Sequence, residues 1–164
     1  MRKLSINNQQ GFSLIEAMIA MVILSVGLMA VGLMQIGAMK GNTNALGRSD
    51  GVVMAQSVMD TLRCLPLGDD LLDDNGSDLD AGKADGGVFD DTLADHTAVE
   101  LMGANPVTGA NGQNYTIFWN IADNDIDADG DAETKNIRLF VYWNDQKFGL
   151  NRVVVTSVLG GLYL

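Results

Sequence analysis

Glu16 is the one formally charged residue between Phe12 and Met39, near the start of an apolar run that reads QGFSLIEAMIAMVILSVGLMAVGLM over residues 10–34. An ionised side chain near a bilayer's centre costs about 2.5–3.5 kcal/mol even on the lenient insertion scale. A carboxylate kept in such a place calls for a partner, and the fitting chemistry is an ion pair closed inside apolar surroundings. Removing one side of a buried pair costs about 3–5 kcal/mol, although the intact pair adds little net stability. The competing reading is a carboxylate that is protonated, or that snorkels to the interface from the beginning of the span.

A second constellation is DNDIDADGDAE at 123–133, where Asp125, Asp127 and Asp129 alternate ahead of Gly130. That spacing opens an oxygen-rich calcium loop with glycine at the sharp turn, and Asp131 and Glu133 extend the candidate ligand set. Asn136 stands where an EF-hand needs its bidentate glutamate, and strand-like sequence flanks the loop where helices should be. A full EF-hand is therefore ruled out as the leading model. Two readings stay open: a solvated acidic hairpin loop and a non-EF calcium loop.

Little else points to catalysis. His96 is the only histidine and is read as a lone exposed polar residue, which rules out a histidine-rich metal site. Ser13, Ser25 and Ser57 lie in no nucleophile motif, and no glycine-rich phosphate loop is present, so no enzyme activity is expected. Cys64 has no mate for a disulfide and is read as a helix-packing residue; Trp119 and Trp143 are read as sheet-core residues.

The elements that would carry these groups follow from periodicity. Phe12–Met39 would make a helix of about 42 Å, longer than the roughly 30 Å hydrocarbon core of a bilayer. Arg2 and Lys3 before it, against Lys40 alone after it, place the amino terminus on the cytoplasmic side. A secretory signal peptide would put its cleavage site after the apolar region, whereas the small-residue junction here, Gly11-Phe12, precedes it. From residue 40, Ala45, Val52 and Met59 recur at sevenfold spacing with Ala55 and Leu62 on the same face, predicting an amphipathic helix that ends near Leu65, before Pro66. Residues 67–114 read as loops with short elements around 86–102. Three strand signals follow at 115–121, 137–144 and 151–159. The fold class expected is α+β, a long helix packed on a C-terminal antiparallel meander.

The 164 residues include 47% hydrophobic side chains, much of that content falling before residue 40, so the remainder supports one small core. With 10 Lys+Arg against 21 Asp+Glu, the net charge of -11 argues against nucleic acid as a partner, because phosphate binding needs clustered cations.

Gly11-Phe12-Ser13-Leu14-Ile15-Glu16, after a short basic leader and ahead of an uninterrupted apolar helix, resembles a class III signal sequence of the type IV pilin superfamily. The stretch around residues 9–40 is most similar to the minor pilins of the type IV pilus modification, or PilV-like, group. The resemblance implies a leader, residues 1–11, removed by the prepilin peptidase/methyltransferase, with N-methylation of the new Phe12 terminus. It implies a transmembrane and assembly helix over 12–39, its amphipathic continuation over 40–65, and a globular part over 66–164 outside the inner membrane. It also implies a partner for Glu16: the charged terminal amine of a neighbouring subunit. Other major and minor pilins and the inner-membrane assembly platform would be its partners, and no cofactor would be required beyond the calcium the acidic loop suggests. Many major pilins carry a proline in the transmembrane helix and a C-terminal disulfide loop. Here the prolines are Pro66 and Pro106 and Cys64 has no mate, and both absences favour a minor or pseudopilin-like subunit. The alternatives are a type II secretion pseudopilin and a membrane-anchored calcium-dependent binding module.

Overall fold

A computed structural model describes residues 13–84, 88–125, 132–145 and 149–160. The chain forms two compact units, Met1–Thr43 and Asn44–Leu164, and one helix, α1 (Leu14–Arg63), contributes to both.

In the first unit, α1 is a helix without a core. Leu, Met, Ala and Ile follow one another with no proline to remove a backbone donor, which favours the helix. Its large apolar side chains, from Leu14 and Ile15 to Ile36 and Met39, are all exposed. Among the described residues, α1 is the one helix long and apolar enough to cross a membrane. A Cβ added at Gly27, Gly32, Gly37 or Gly41 would meet nothing within 4 Å.

The second unit has the core. Gly47, Gly51, Ala55, Val58, Met59 and Leu62 form the buried stripe of α1, spaced three and four apart as one helical face requires. The sevenfold pattern found that face only in part. Met59, Ala55 and Leu62 are buried, but Val52 is half-buried and Ala45 is exposed, because the stripe continues upstream through two glycines. Trp143 fills the space they leave: a Cβ on Gly51 would stand 2.9 Å from the Trp143 ring. Tyr115 completes this contact by donating its hydroxyl hydrogen to the Gly47 carbonyl at 2.9 Å. After Arg63 the chain tightens into turns, with the Leu65 amide donating to the Leu62 carbonyl at 3.2 Å, before Pro66 ends the run. Cys64, expected to pack, is exposed, since it lies off the buried stripe.

Five antiparallel strands form the sheet among the described residues: β1 (His96–Thr97), β2 (Val107–Thr108), β3 (Asn114–Asn124), β4 (Thr134–Asp145) and β5 (Gly149–Gly160). The order is β1-β3-β4-β5, with β2 also on β3. β3, β4 and β5 are the expected meander, each strand longer than its apolar signal. Asp123 lies opposite Lys135 and their side chains pair at 3.0 Å, so the ladder continues past the apolar residues. Tyr115, Ile117, Trp119, Ile121, Ile137, Leu139, Val141 and Trp143 line the face toward the buried stripe of α1. On the opposite face Phe118, Phe140 and Tyr142 stack, with Phe89 over Tyr142 at 4.7 Å between ring centres.

The 67–114 stretch is more structured than its polarity suggested. It holds two single-turn 3-10 helices, Asp70–Leu72 and Asp91–Leu93, the short strands β1 and β2, and α2 (Ala98–Met102). Aspartates set its turns: Asp69 accepts from the Leu71 amide, Asp74 from Gly76 and Asp90 from Thr92. The free edge of β3 is closed residue by residue. Asn105 Oδ1 accepts from the Ile117 amide at 2.9 Å, and Asp95 Oδ2 from the Ile121 amide at 2.8 Å.

Candidate assembly segment and acidic hairpin

Glu16 lies in the first turn of α1, where its backbone amide donates to the Ser13 carbonyl at 3.0 Å. A carboxylate there faces the positive end of the helix dipole, a favourable interaction of about 0.3–1 kcal/mol. That does not replace a partner. The side chain is exposed and makes no hydrogen bond or ion pair with any described residue. Its surroundings on the helix, Leu14, Ile15, Met18 and Ile19, are apolar and equally exposed. Gly11 and Phe12, the expected processing junction, lie outside the described residues. The segment therefore presents one anionic group on an apolar helical surface. Such a surface can be buried by lipid or by other helices, and a neighbouring cation would neutralise its charge.

The candidate calcium ligands are only partly within view. Asp127, Asp129 and Asp131 lie outside the described residues; Asp125 follows β3 and Glu133 precedes β4, both with contacts of their own. The acidic stretch connects two antiparallel strands, the hairpin setting that argued against an EF-hand. Among the described residues no group of three or more His, Cys, Asp or Glu side chains could hold a metal ion. Asp123, at the base of the hairpin, is committed to Lys135.

His96 is buried rather than exposed. Its Nδ1 stands 2.6 Å from Glu100 Oε2, its Nε2 2.8 Å from the Asp73 carbonyl oxygen, and its ring stacks on Trp119. Sequence reasoning treated it as isolated because its partners are a backbone carbonyl and a carboxylate four residues on. A signal was available in Thr97-x-x-Glu100, the capping-box spacing, which folds the glutamate back over the start of α2. The Thr97 amide does donate to Glu100 Oε1, at 3.2 Å. Asp95, Asn120 and Lys135 are likewise buried polar groups that no motif announced.

Electrostatics on the rest of the domain are local. Arg138 donates to Asp80, and that hydrogen bond holds the Asp80 carboxyl below the ordinary carboxylate range. Burial raises the Tyr115 phenol above its usual value, partly offset by the hydrogen bond from Asn111.

The family described as the prokaryotic N-terminal methylation motif matches residues 6–32, a stretch that contains Gly11, Phe12 and Glu16. That match indicates a type IV pilin-like prepilin, and the long apolar helix with its antiparallel sheet is an α+β, pilin-like arrangement. No curated protein and no solved structure matches the chain.

Proposed function

From this prepilin-type amino terminus we propose that the chain is a minor type IV pilin, a structural subunit whose chemistry is assembly. It is cut between Gly11 and Phe12, methylated on Phe12, and held in the inner membrane with its amino terminus toward the cytoplasm. From there it joins other major and minor pilins through the inner-membrane assembly platform and takes part in pilus assembly, initiation or adhesion. One observation carries the reading: an exposed apolar helical stretch over residues 14–39 whose single carboxylate is Glu16, five residues beyond the junction. The amine created at Phe12 of a neighbouring subunit would neutralise that carboxylate. Assembly in the right axial register would then relieve a charge that the isolated helix must carry.

The test has two parts. Intact-mass analysis of membrane-extracted protein should show loss of residues 1–11 with one added methyl group, and Gly11→Val should block that processing. Glu16→Ala should insert into the membrane at least as well as wild type, because a costly polar group is gone. It should nevertheless be depleted on the order of tenfold or more from sheared pili, reflecting the loss of a buried charge partner. Equal recovery of Glu16→Ala and wild type in sheared pili would sink the pairing. Recovery in a secretion pseudopilus instead would transfer the role to type II secretion.

Calcium on the β3–β4 hairpin is a separate proposal, with Asp125, Asp127, Asp129, Asp131 and Glu133 as ligands. Millimolar calcium should raise the melting temperature of the sheet domain, and Asp127→Asn with Asp129→Asn should abolish the increment. Equal stabilisation by magnesium would mean simple charge screening.

A further inference from the structure

Three consecutive backbone carbonyls are held by three buried side chains of the sheet. Trp119 Nε1 donates to the Leu71 carbonyl at 3.0 Å and Lys135 Nζ to the Leu72 carbonyl at 2.8 Å. His96 Nε2 reaches the Asp73 carbonyl at 2.8 Å. The donors come from β3, β4 and β1, and the Leu72 side chain between them is fully buried in the core. This row fastens the segment beyond α1 to the sheet.

The histidine bond differs from its two neighbours. A carbonyl only accepts, so Nε2 must carry a hydrogen. Nδ1 then faces Glu100 Oε2 at 2.6 Å, and in a neutral ring a lone pair would point at a carboxylate. Two acceptors at that separation repel. With a second ring proton both bonds form, and the one to Glu100 is charge-assisted. Glu100 is itself fixed by the Thr97 amide at the first turn of α2.

We propose that His96 is a proton-operated latch. Doubly protonated, it ties the Asp73 segment and the start of α2 to the sheet together; loss of the Nδ1 proton opens the joint at Glu100. The other charges nearby are already engaged or solvent-facing. Lys135 on β4 is countered by Asp123 of β3 at 3.0 Å. Asp95, next in the chain, accepts from the Ser77 and Ile121 amides. Asp74 accepts from the Gly76 and Asp123 amides, while Asp73, and Asp60 and Arg63 on α1, are exposed. Glu100 is the group that decides the state of Nδ1.

The chain has a single histidine, so full-length protein in detergent micelles with ring-15N histidine gives one pair of ring signals. Across a pH series, the ring should pass from two protonated nitrogens to one. The Thr97 amide and Trp119 indole resonances should shift in the same step. Protection of the Asp73 amide, which donates to the Asp70 carbonyl, should fall on the order of tenfold at the alkaline end when referred to the intrinsic exchange rate at each pH. Glu100→Gln gives the sharper test: its carboxamide donates to a neutral Nδ1, so protection of Asp73 should increase with pH instead. His96→Gln should abolish the response, and if that variant fails to fold, Glu100→Gln still decides. A ring that titrates without moving Thr97 or Trp119, or a Glu100→Gln variant that keeps the wild-type direction, overturns the latch.

Discussion

Glu16 and Asp95 are carboxylates with apolar neighbours, and the chain treats them in opposite ways. Asp95 is buried, and its two oxygens accept from the amides of Ser77 and Ile121 at 3.2 and 2.8 Å. Its own amide donates to Asn120 Oδ1, and its carbonyl accepts from Asn75. Glu16 has no such set of side-chain partners among the described residues. The sheet domain answers its polar groups from within, as a domain with its own core must. The stretch over residues 14–39 exposes apolar surface and one charge together, so both demands must be met from outside. That difference separates a part whose stability belongs to one chain from a part whose apolar surface depends on surroundings outside it.

The contrast predicts how substitutions divide. Asp95→Ala should have the largest effect on the domain, about 3–5 kcal/mol, because two amides lose charge-assisted acceptors at once. Urea unfolding of full-length protein in micelles, followed by the near-ultraviolet circular dichroism of the sheet aromatics, would measure it. Glu16→Ala should leave that transition where it is; a shift would break the division between the two regions. Next comes Gly51→Ala, expected to cost about 1–3 kcal/mol in the same measurement, since the new methyl must displace the Trp143 ring. Gly37→Ala meets open space and should leave the transition unchanged while strengthening the helix by about 1 kcal/mol.

The smallest effect belongs to the exposed Asp80–Arg138 pair. The folded-state pKa of Asp80 lies below its ordinary value, so its contribution is present above the unfolded carboxylate range and fades as pH falls through the lowered folded value. Asp80→Asn should flatten that part of the acid limb without altering stability near neutrality by more than a surface pair is worth. An unchanged acid limb would show that Arg138 contributes nothing there.

Periodicity and propensity made the main elements legible. An apolar run without proline identified the long helix, and clusters of β-branched and aromatic residues at 115–121, 137–144 and 151–159 identified the meander. Both signals are local, carried by the residues that form the element. What escaped was nonlocal. The buried stripe of α1 runs through Gly47 and Gly51, which carry no apolar side chain to mark it, and becomes visible only once Trp143 is set against them. His96 and Lys135 escaped for a related reason: each holds a backbone carbonyl, which has no sequence signature, and only the histidine's second partner, Glu100, was marked by a capping-box spacing. In the candidate site, Glu16 stood out through its conflict with its surroundings, whereas the acidic hairpin offered only composition, which a solvated loop and a cation site share.

Trp143 and the two glycines facing it also constrain how this domain can diverge. The indole and the missing side chain at position 51 occupy one volume between them, so neither position is free to change alone. Among homologous sequences, a residue larger than glycine at 51 should appear together with a smaller residue at 143, while Gly37 and Gly41 drift without such a correlate. The same coupling should appear in the laboratory as a compensating pair, with Trp143→Phe recovering part of what Gly51→Ala loses. The packing at position 51 would thus be written in the family's history as a correlation between two distant columns.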